Sequence, residues 1–177
     1  MQSIIYKGPG KFAIEDRPKP IIKKADDVMI KVLGVCICGT DINIFATPQK
    51  HPSRPGIIFG HEFCGQVVEV GEAVTSLKPG DKVIVDPHGP CGYCDACRAG
   101  LPEMCKNLYL DEPGLEGQAN AMGVFKDGGL TSYTLVPEKF AYKIAADTPA
   151  ELMALAEPLA CCGYSLEKLN IHVGDTV

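Results

Sequence analysis

The chain has 177 residues, 46% of them hydrophobic and 22% charged, with a net charge of -5. That length supports one well-buried soluble domain or slightly more. The acidic balance, with no basic block along the sequence, argues against a nucleic-acid binder and against an anionic membrane surface. The opening residues lack a basic flank, and no apolar stretch reaches the roughly 18 residues of a membrane span, so neither a secretory signal nor a transmembrane helix is expected.

The 19 glycines and 14 prolines fall at many separate points, the punctuation of a β-rich domain with many turns. Residues 3–7 and 11–16 flank Gly8-Pro9-Gly10 and read as a hairpin. Residues 27–36 (DVMIKVLGVC) alternate and are rich in β-branched side chains. Residues 63–70 and 82–86 are further strands, and Lys78-Pro79-Gly80-Asp81 makes a tight turn between them. Residues 87–129 hold a cysteine cluster and then a glycine-rich stretch without periodicity, a stapled lobe followed by a loop. Strands resume at 130–136 and 141–144. A helix is expected from Thr148, as N-cap, with Pro149 in the first turn and Glu151 closing a capping box. Residues 158–169 carry Leu159, Cys162, Leu166 and Leu169 at helical spacing, and 171–177 read as a turn feeding a strand.

Cys91, Cys94, Cys97 and Cys105 follow the pattern C-x2-C-x2-C-x7-C. Cysteines so spaced point their sulfurs at a common centre, and four thiolates close a tetrahedral shell suited to a structural zinc ion. A C-x2-C disulfide would close a very small, strained ring. A closed shell has no open position, so any chemistry belongs elsewhere. Of the nine cysteines, Cys36, Cys38, Cys64, Cys161 and Cys162 remain as thiols, which suits a reducing, cytoplasmic setting.

Three weaker signals are scattered. Gly60-His61-Glu62 precedes the strand at 63–70, Cys38-Gly39-Thr40-Asp41 follows an earlier strand, and Glu157-Pro158-Leu159 opens a helix. Singly these read as a surface turn, a small buried cysteine and a helix-dipole carboxylate. Together they offer thiolate, imidazole and carboxylate, the ligand types of an open zinc site, although spacing does not prove that they meet.

The run Gly60-His61-Glu62-Phe63-Cys64-Gly65, with Gly71, Val74, Gly80, Asp81 and Val83, resembles the signature of zinc-containing medium-chain alcohol dehydrogenases. The four-cysteine lobe falls where that family has its structural zinc. The segments at Cys38 and Glu157 are similar to the first and third catalytic-ligand segments of its polyol and threonine dehydrogenase branch. This resemblance implies two zinc ions per chain. Cys38, His61 and Glu157 would hold the catalytic one, with Glu62 an adjacent carboxylate that approaches the metal or exchanges with water. Asp41 would orient His61, and Thr40 would begin a proton relay from the substrate hydroxyl. Zinc polarises the alcohol or carbonyl oxygen for hydride exchange with NAD or NADP. Many family members carry a relay histidine where this chain has Asn43. A water or another group such as His51 then completes the relay, or it ends at Thr40, and loop composition favours an exposed His51. His88 borders a cluster whose shell is already full, and His172 is expected to be exposed. Cys36 is either a competing ligand or, in preference, core packing. Cys64, Cys161 and Cys162 read as small buried residues.

The G-x-G-x-x-G fingerprint of a nucleotide-binding Rossmann domain is absent from these residues. The expected fold is therefore mainly β with a few helices, a GroES-like partly open barrel. It would span residues 1–177, with the zinc lobe at about 87–110 and a helical exit at about 148–177. The resemblance implies the N-terminal catalytic portion of an alcohol or polyol dehydrogenase, homo-oligomeric at full length and inactive as this portion alone. The alternative is a non-enzymatic GroES-like interaction module with zinc for stability only.

Overall fold

Seven strands and four α-helices build a computed structural model that describes residues 1–110, 113–169 and 174–176. Strands β1 (Gln2–Gly8) and β2 (Lys11–Asp16) form the expected antiparallel hairpin across Gly8-Pro9-Gly10. Strands β3 (Asp27–Cys36), β4 (Glu62–Val70), β5 (Lys82–Val85), β6 (Tyr133–Pro137) and β7 (Ala141–Lys143) make a second, wholly antiparallel sheet in the order β6-β3-β4-β5-β7. The two sheets stay open, which agrees with a partly open barrel. Among the described residues no helix is long and apolar enough to cross a membrane.

The alternation expected along β3 is incomplete. Val28, Met29 and Ile30 are all buried, because β3 lies between β4 and β6 and is covered on both faces at that end. Val28, Ile30, Val67, Val83 and Val136 knit one core across this sheet. A second core gathers Tyr6, Ile44, Phe59, Val124 and Phe125 beneath the hairpin. Gly65 lies where β4 runs against β3, and a Cβ there would overlap the Lys31 carbonyl.

Helices differ most from expectation. α1 (Gly39–Phe45) and the four-residue α2 (Asp95–Arg98) have too few turns to show a hydrophobic period. α3 (Ala150–Met153) starts one residue later than expected, with Pro149 at the N-cap and no side-chain cap. Thr148 is instead committed to the preceding turn, where its N–H donates to the Ala145 carbonyl (3.1 Å) and its own carbonyl accepts Lys82 Nζ (2.8 Å). α4 (Ala156–Leu169) is the expected long helix and touches β4 and β5, but none of its residues is buried. Leu159, Leu166 and Leu169 are exposed, and so are Cys161 and Cys162, which were expected to be buried. Helical spacing predicts which residues share a face, not whether anything covers it. Cys64 is buried as expected, and Cys36 packs beside it in a small cluster with Met153 and Ala154, the core-packing role. His172 and most of 171–177 lie outside the described residues.

A carboxylate fastens the 71–81 turn to the β6–β7 corner. Glu138 Oε1 accepts the N–H groups of Thr75 (2.8 Å) and Ser76 (2.6 Å) and the Ser76 hydroxyl (2.7 Å). These donors, those of Ser76 foremost, hold its pKa below the usual carboxylate range. A folded-state pKa below the unfolded one adds stability above that range, lost as pH falls through the lowered value. Glu138→Gln is therefore expected to destabilise by about 1 kcal/mol at neutral pH, discounted for solvent exposure. In urea melts the gap to the parent should narrow towards acid; a gap constant with pH would contradict this linkage.

Candidate metal centre and its cavity

The register of β3 against β4 assembles the scattered signals. Cys36, the last residue of β3, pairs with Glu62, the first of β4, so Cys38 just beyond β3 meets His61 and Glu62 at one edge. Gly60 adopts φ +89, a left-handed conformation that turns the chain into β4. Single ligand atoms of Cys38, His61 and Glu62 lie within 4.8 Å of one another, with His61 and Glu62 buried.

Asp41 holds two of these three in place. Its Oδ2 accepts the Cys38 backbone N–H (2.9 Å) across the first turn of α1, and its Oδ1 lies 3.2 Å from His61 Nδ1. Both side chains are about 5% exposed or less, and the Oδ1 and Nδ1 atoms find no other partner among the described residues. A carboxylate beside Nδ1 fixes the tautomer and leaves Nε2 as the lone-pair donor. Burial lowers the His61 pKa, but Asp41, then Glu157 and Glu62, outweigh it and raise the value overall.

Cys38, His61 and Glu62 line a cavity of about 550 Å³ together with Thr40, His51, His88 and Glu157. Glu157, at the start of α4, lines the same cavity as Glu62. Burial raises the Glu157 pKa most, His61 opposes this, and Glu62 adds to the rise. Two carboxylates on one cavity wall, Glu62 buried and Glu157 half-buried, favour a cation between them. The compact trio contains Glu62, while Glu157 reaches the same cavity from the other side. The thiol, imidazole and paired carboxylates fit a zinc ion with room for a further ligand.

His51, expected to be exposed, is half-buried on the cavity wall because the 47–55 loop folds over α1. Its Nδ1 lies 2.7 Å from the Pro52 carbonyl. A carbonyl only accepts, so Nδ1 carries the proton and a neutral ring keeps its lone pair on Nε2. Asn43 is exposed and does not line the cavity.

The sulfurs of Cys91, Cys94, Cys97 and Cys105 form a second cluster, again within 4.8 Å of one another. All four are free, with Cys94 and Cys97 sulfurs at 3.5 Å, far beyond a disulfide bond. The Cys94 N–H donates to Cys91 Sγ and the Cys91 N–H to Cys105 Sγ, each at 3.4 Å, which favours thiolate. Burial opposes ionisation of Cys91, but Asn107 and the N–H groups of Tyr93 and Cys94 bring it down to about 6. Burial and the neighbouring thiols push Cys97 up to about 12. A divalent cation removes that conflict by taking all four as thiolates.

A family model described as the alcohol dehydrogenase GroES-like domain matches residues 24–146. The chain belongs to this family. This GroES-like domain is 40% identical over 164 residues to L-threonine 3-dehydrogenase of Thermococcus kodakarensis, covering 90% of this chain and 43% of that protein. It is 32% identical to D-xylulose reductase A of Aspergillus oryzae, covering 99% and 47%. The crystal structure of galactitol-1-phosphate dehydrogenase from Escherichia coli superposes with a TM-score of 0.83 at 27% identity, over 96% of this chain and 45% of that one. The domain thus spans about half the length of the relatives it matches.

Sequence reasoning on this domain missed Gln118, Ala121 and Phe125 as cavity wall. They come from the aperiodic stretch after the cysteine lobe, which carries no local signal of burial. It also placed His88 only beside the four-cysteine cluster, whereas His88 borders the metal cavity too.

Proposed function

We propose that residues 1–177 are the metal-binding catalytic portion of a zinc-dependent dehydrogenase acting on a secondary alcohol, polyol or sugar-derived, with NAD or NADP. The observation that carries this is the Cys38, His61 and Glu62 trio on a cavity wall, with Asp41 locked behind it. Likeness to a xylulose reductase and a threonine dehydrogenase supports the substrate class. The full-length enzyme would be homo-oligomeric and cytoplasmic, with substrate and cofactor contacts completed by chain beyond these residues.

The residues divide the work. Cys38, His61 and Glu62 would hold the catalytic zinc, with Glu157 placed to join or replace Glu62. Cys91, Cys94, Cys97 and Cys105 would hold the structural one. Bound at the first site, zinc supplies Lewis acidity toward the substrate oxygen. Asp41 accepts the His61 Nδ1 proton and so keeps the Nε2 lone pair aimed at the metal position. Thr40 accepts the proton of the substrate hydroxyl and passes its own onward, and His51 Nε2 takes it in place of the exposed Asn43. Val124 and Phe125 give the cavity an apolar wall against water.

Metal analysis tests the assignment. About two zinc ions per chain are expected, whereas one would favour a module with zinc for stability only. For the relay, His51→Gln in the full-length enzyme should lower kcat for alcohol oxidation by about 10- to 100-fold, leave KM nearly unchanged and remove the fall in rate toward acid, where a protonated base cannot accept. An unchanged pH profile would exclude His51 from proton transfer.

A further inference from the structure

Behind the metal cavity lies a second cleft that the dehydrogenase reaction does not use. The segment 118–122 separates the two, and its residues alternate: Gln118, Ala119 and Ala121 border the metal cavity, while Asn120 and Met122 border the cleft. The cleft has two chambers with a common wall that includes Lys24, Lys126 and Phe140. The larger, about 790 Å³, has Ile58, Met122 and Leu135 among its apolar lining. The smaller, about 260 Å³, adds Lys139, Asn107 and Asn120.

Its charge runs against that of the chain. Six cations border the two chambers, Arg17, Lys19, Lys23, Lys24, Lys126 and Lys139, against the carboxylates of Asp26, Asp27 and Asp127. Two of those carboxylates are already committed to backbone. Asp27 Oδ2 accepts the N–H groups of Lys23 (3.0 Å) and Lys24 (2.9 Å), and Asp127 Oδ1 accepts that of Ile58 (2.8 Å). Arg17 is paired with Glu15 (2.9 Å) and Lys19 sits over the Tyr133 ring (4.6 Å). The excess therefore falls on the lysines at the shared wall. Lys139 Nζ donates to the carbonyls of Pro90 (3.1 Å) and Cys91 (3.3 Å) and lies 4.8 Å from the centroid of the Phe140 ring, which anchors its charge at the chamber wall. Burial lowers the Lys126 pKa, and Lys24, Lys139 and Arg54 lower it further.

We propose that this cleft binds an organic phosphate, its phosphate in the smaller chamber among Lys24, Lys126 and Lys139 and its apolar portion in the larger one. Three ammonium groups and the Asn120 side-chain amide suit an anion with several oxygens and more than one charge. The larger chamber, three times the volume of the smaller and with Ile58, Met122, Leu135 and Phe140 on its wall, suits a ring system attached to that phosphate, not a free ion.

Isothermal titration of the zinc-loaded chain with ADP tests this, with inorganic phosphate and adenosine as separate arms. Saturable ADP binding is expected, weaker binding of phosphate, weaker still of adenosine, and loss of affinity as salt rises. Lys126→Gln and Lys24→Gln should each weaken ADP at least about tenfold with zinc content unchanged. Both lysines are exposed, so neither substitution is expected to disturb the fold. No saturable ADP binding up to about 10 mM would overturn the proposal. So would adenosine or phosphate binding as tightly as ADP, or ADP affinity unchanged in folded variants. None of these outcomes depends on the metal trio, so this site and the dehydrogenase assignment fail or stand separately.

Discussion

Serine in place of Cys38 is expected to lower zinc from two ions per chain to one and to cut turnover of the full-length enzyme by about 10³-fold or more. The fold should survive, because Cys38 lies beyond the end of β3, is only half-buried and belongs to neither main core. The remaining zinc should be the one held by the four-cysteine lobe. Asp41→Asn provides a graded comparison. It keeps the size of the side chain but removes the charge beside His61 Nδ1, and a metal affinity about 10- to 100-fold lower is expected. Zinc analysis, with alcohol-dependent cofactor reduction on the same samples, checks both. Two zinc ions retained in Cys38→Ser would show that the trio is not the second metal site.

Replacing Cys105 should act on the other zinc and mainly on stability. Cys105 is fully buried between two short 3-10 turns, Pro102–Met104 and Lys106–Leu108, and its sulfur accepts the Cys91 N–H across the lobe. The lobe has little else to hold it. α2 spans four residues, none of them buried, so the sulfurs supply what a hydrophobic core would elsewhere. Cys105→Ser is therefore expected to lose the structural zinc, lower the melting temperature by roughly 10 °C and open the region around 87–110 to proteolysis. The catalytic zinc should remain. Because Lys139 is anchored on the Pro90 and Cys91 carbonyls, the same variant should also weaken ADP in the cationic cleft. A chain with unchanged melting and protease resistance would mean that the lobe is stable without its metal.

How far the sequence could be read depended on whether a signal was local. The hairpin at Gly8-Pro9-Gly10 and the strand at 27–36 followed from turn chemistry and β-branched runs within a few residues. The four cysteines declared a common centre because C-x2-C spacing nearly fixes the geometry by itself. α1 was missed since seven residues hold too little period, although its Asp41 reaches back to the Cys38 N–H in the manner of a helix start. Cys161 and Cys162 were misplaced inside because helical spacing cannot register whether a partner surface is present.

By itself, then, the sequence determined the strand pattern, the closed cysteine site and, through its motifs, the family. Tertiary structure decided which distant residues meet. The β3–β4 register brings Cys38 to His61 and Glu62, and the fold of the 47–55 loop brings His51 to their cavity. It also gathers Lys24, Lys126 and Lys139 into one cleft of an acidic chain that has no basic run anywhere in its sequence. The reason is the same each time. Spacing along the chain constrains neighbours a few bonds apart, whereas sheet register and loop packing bring together groups that are remote in sequence.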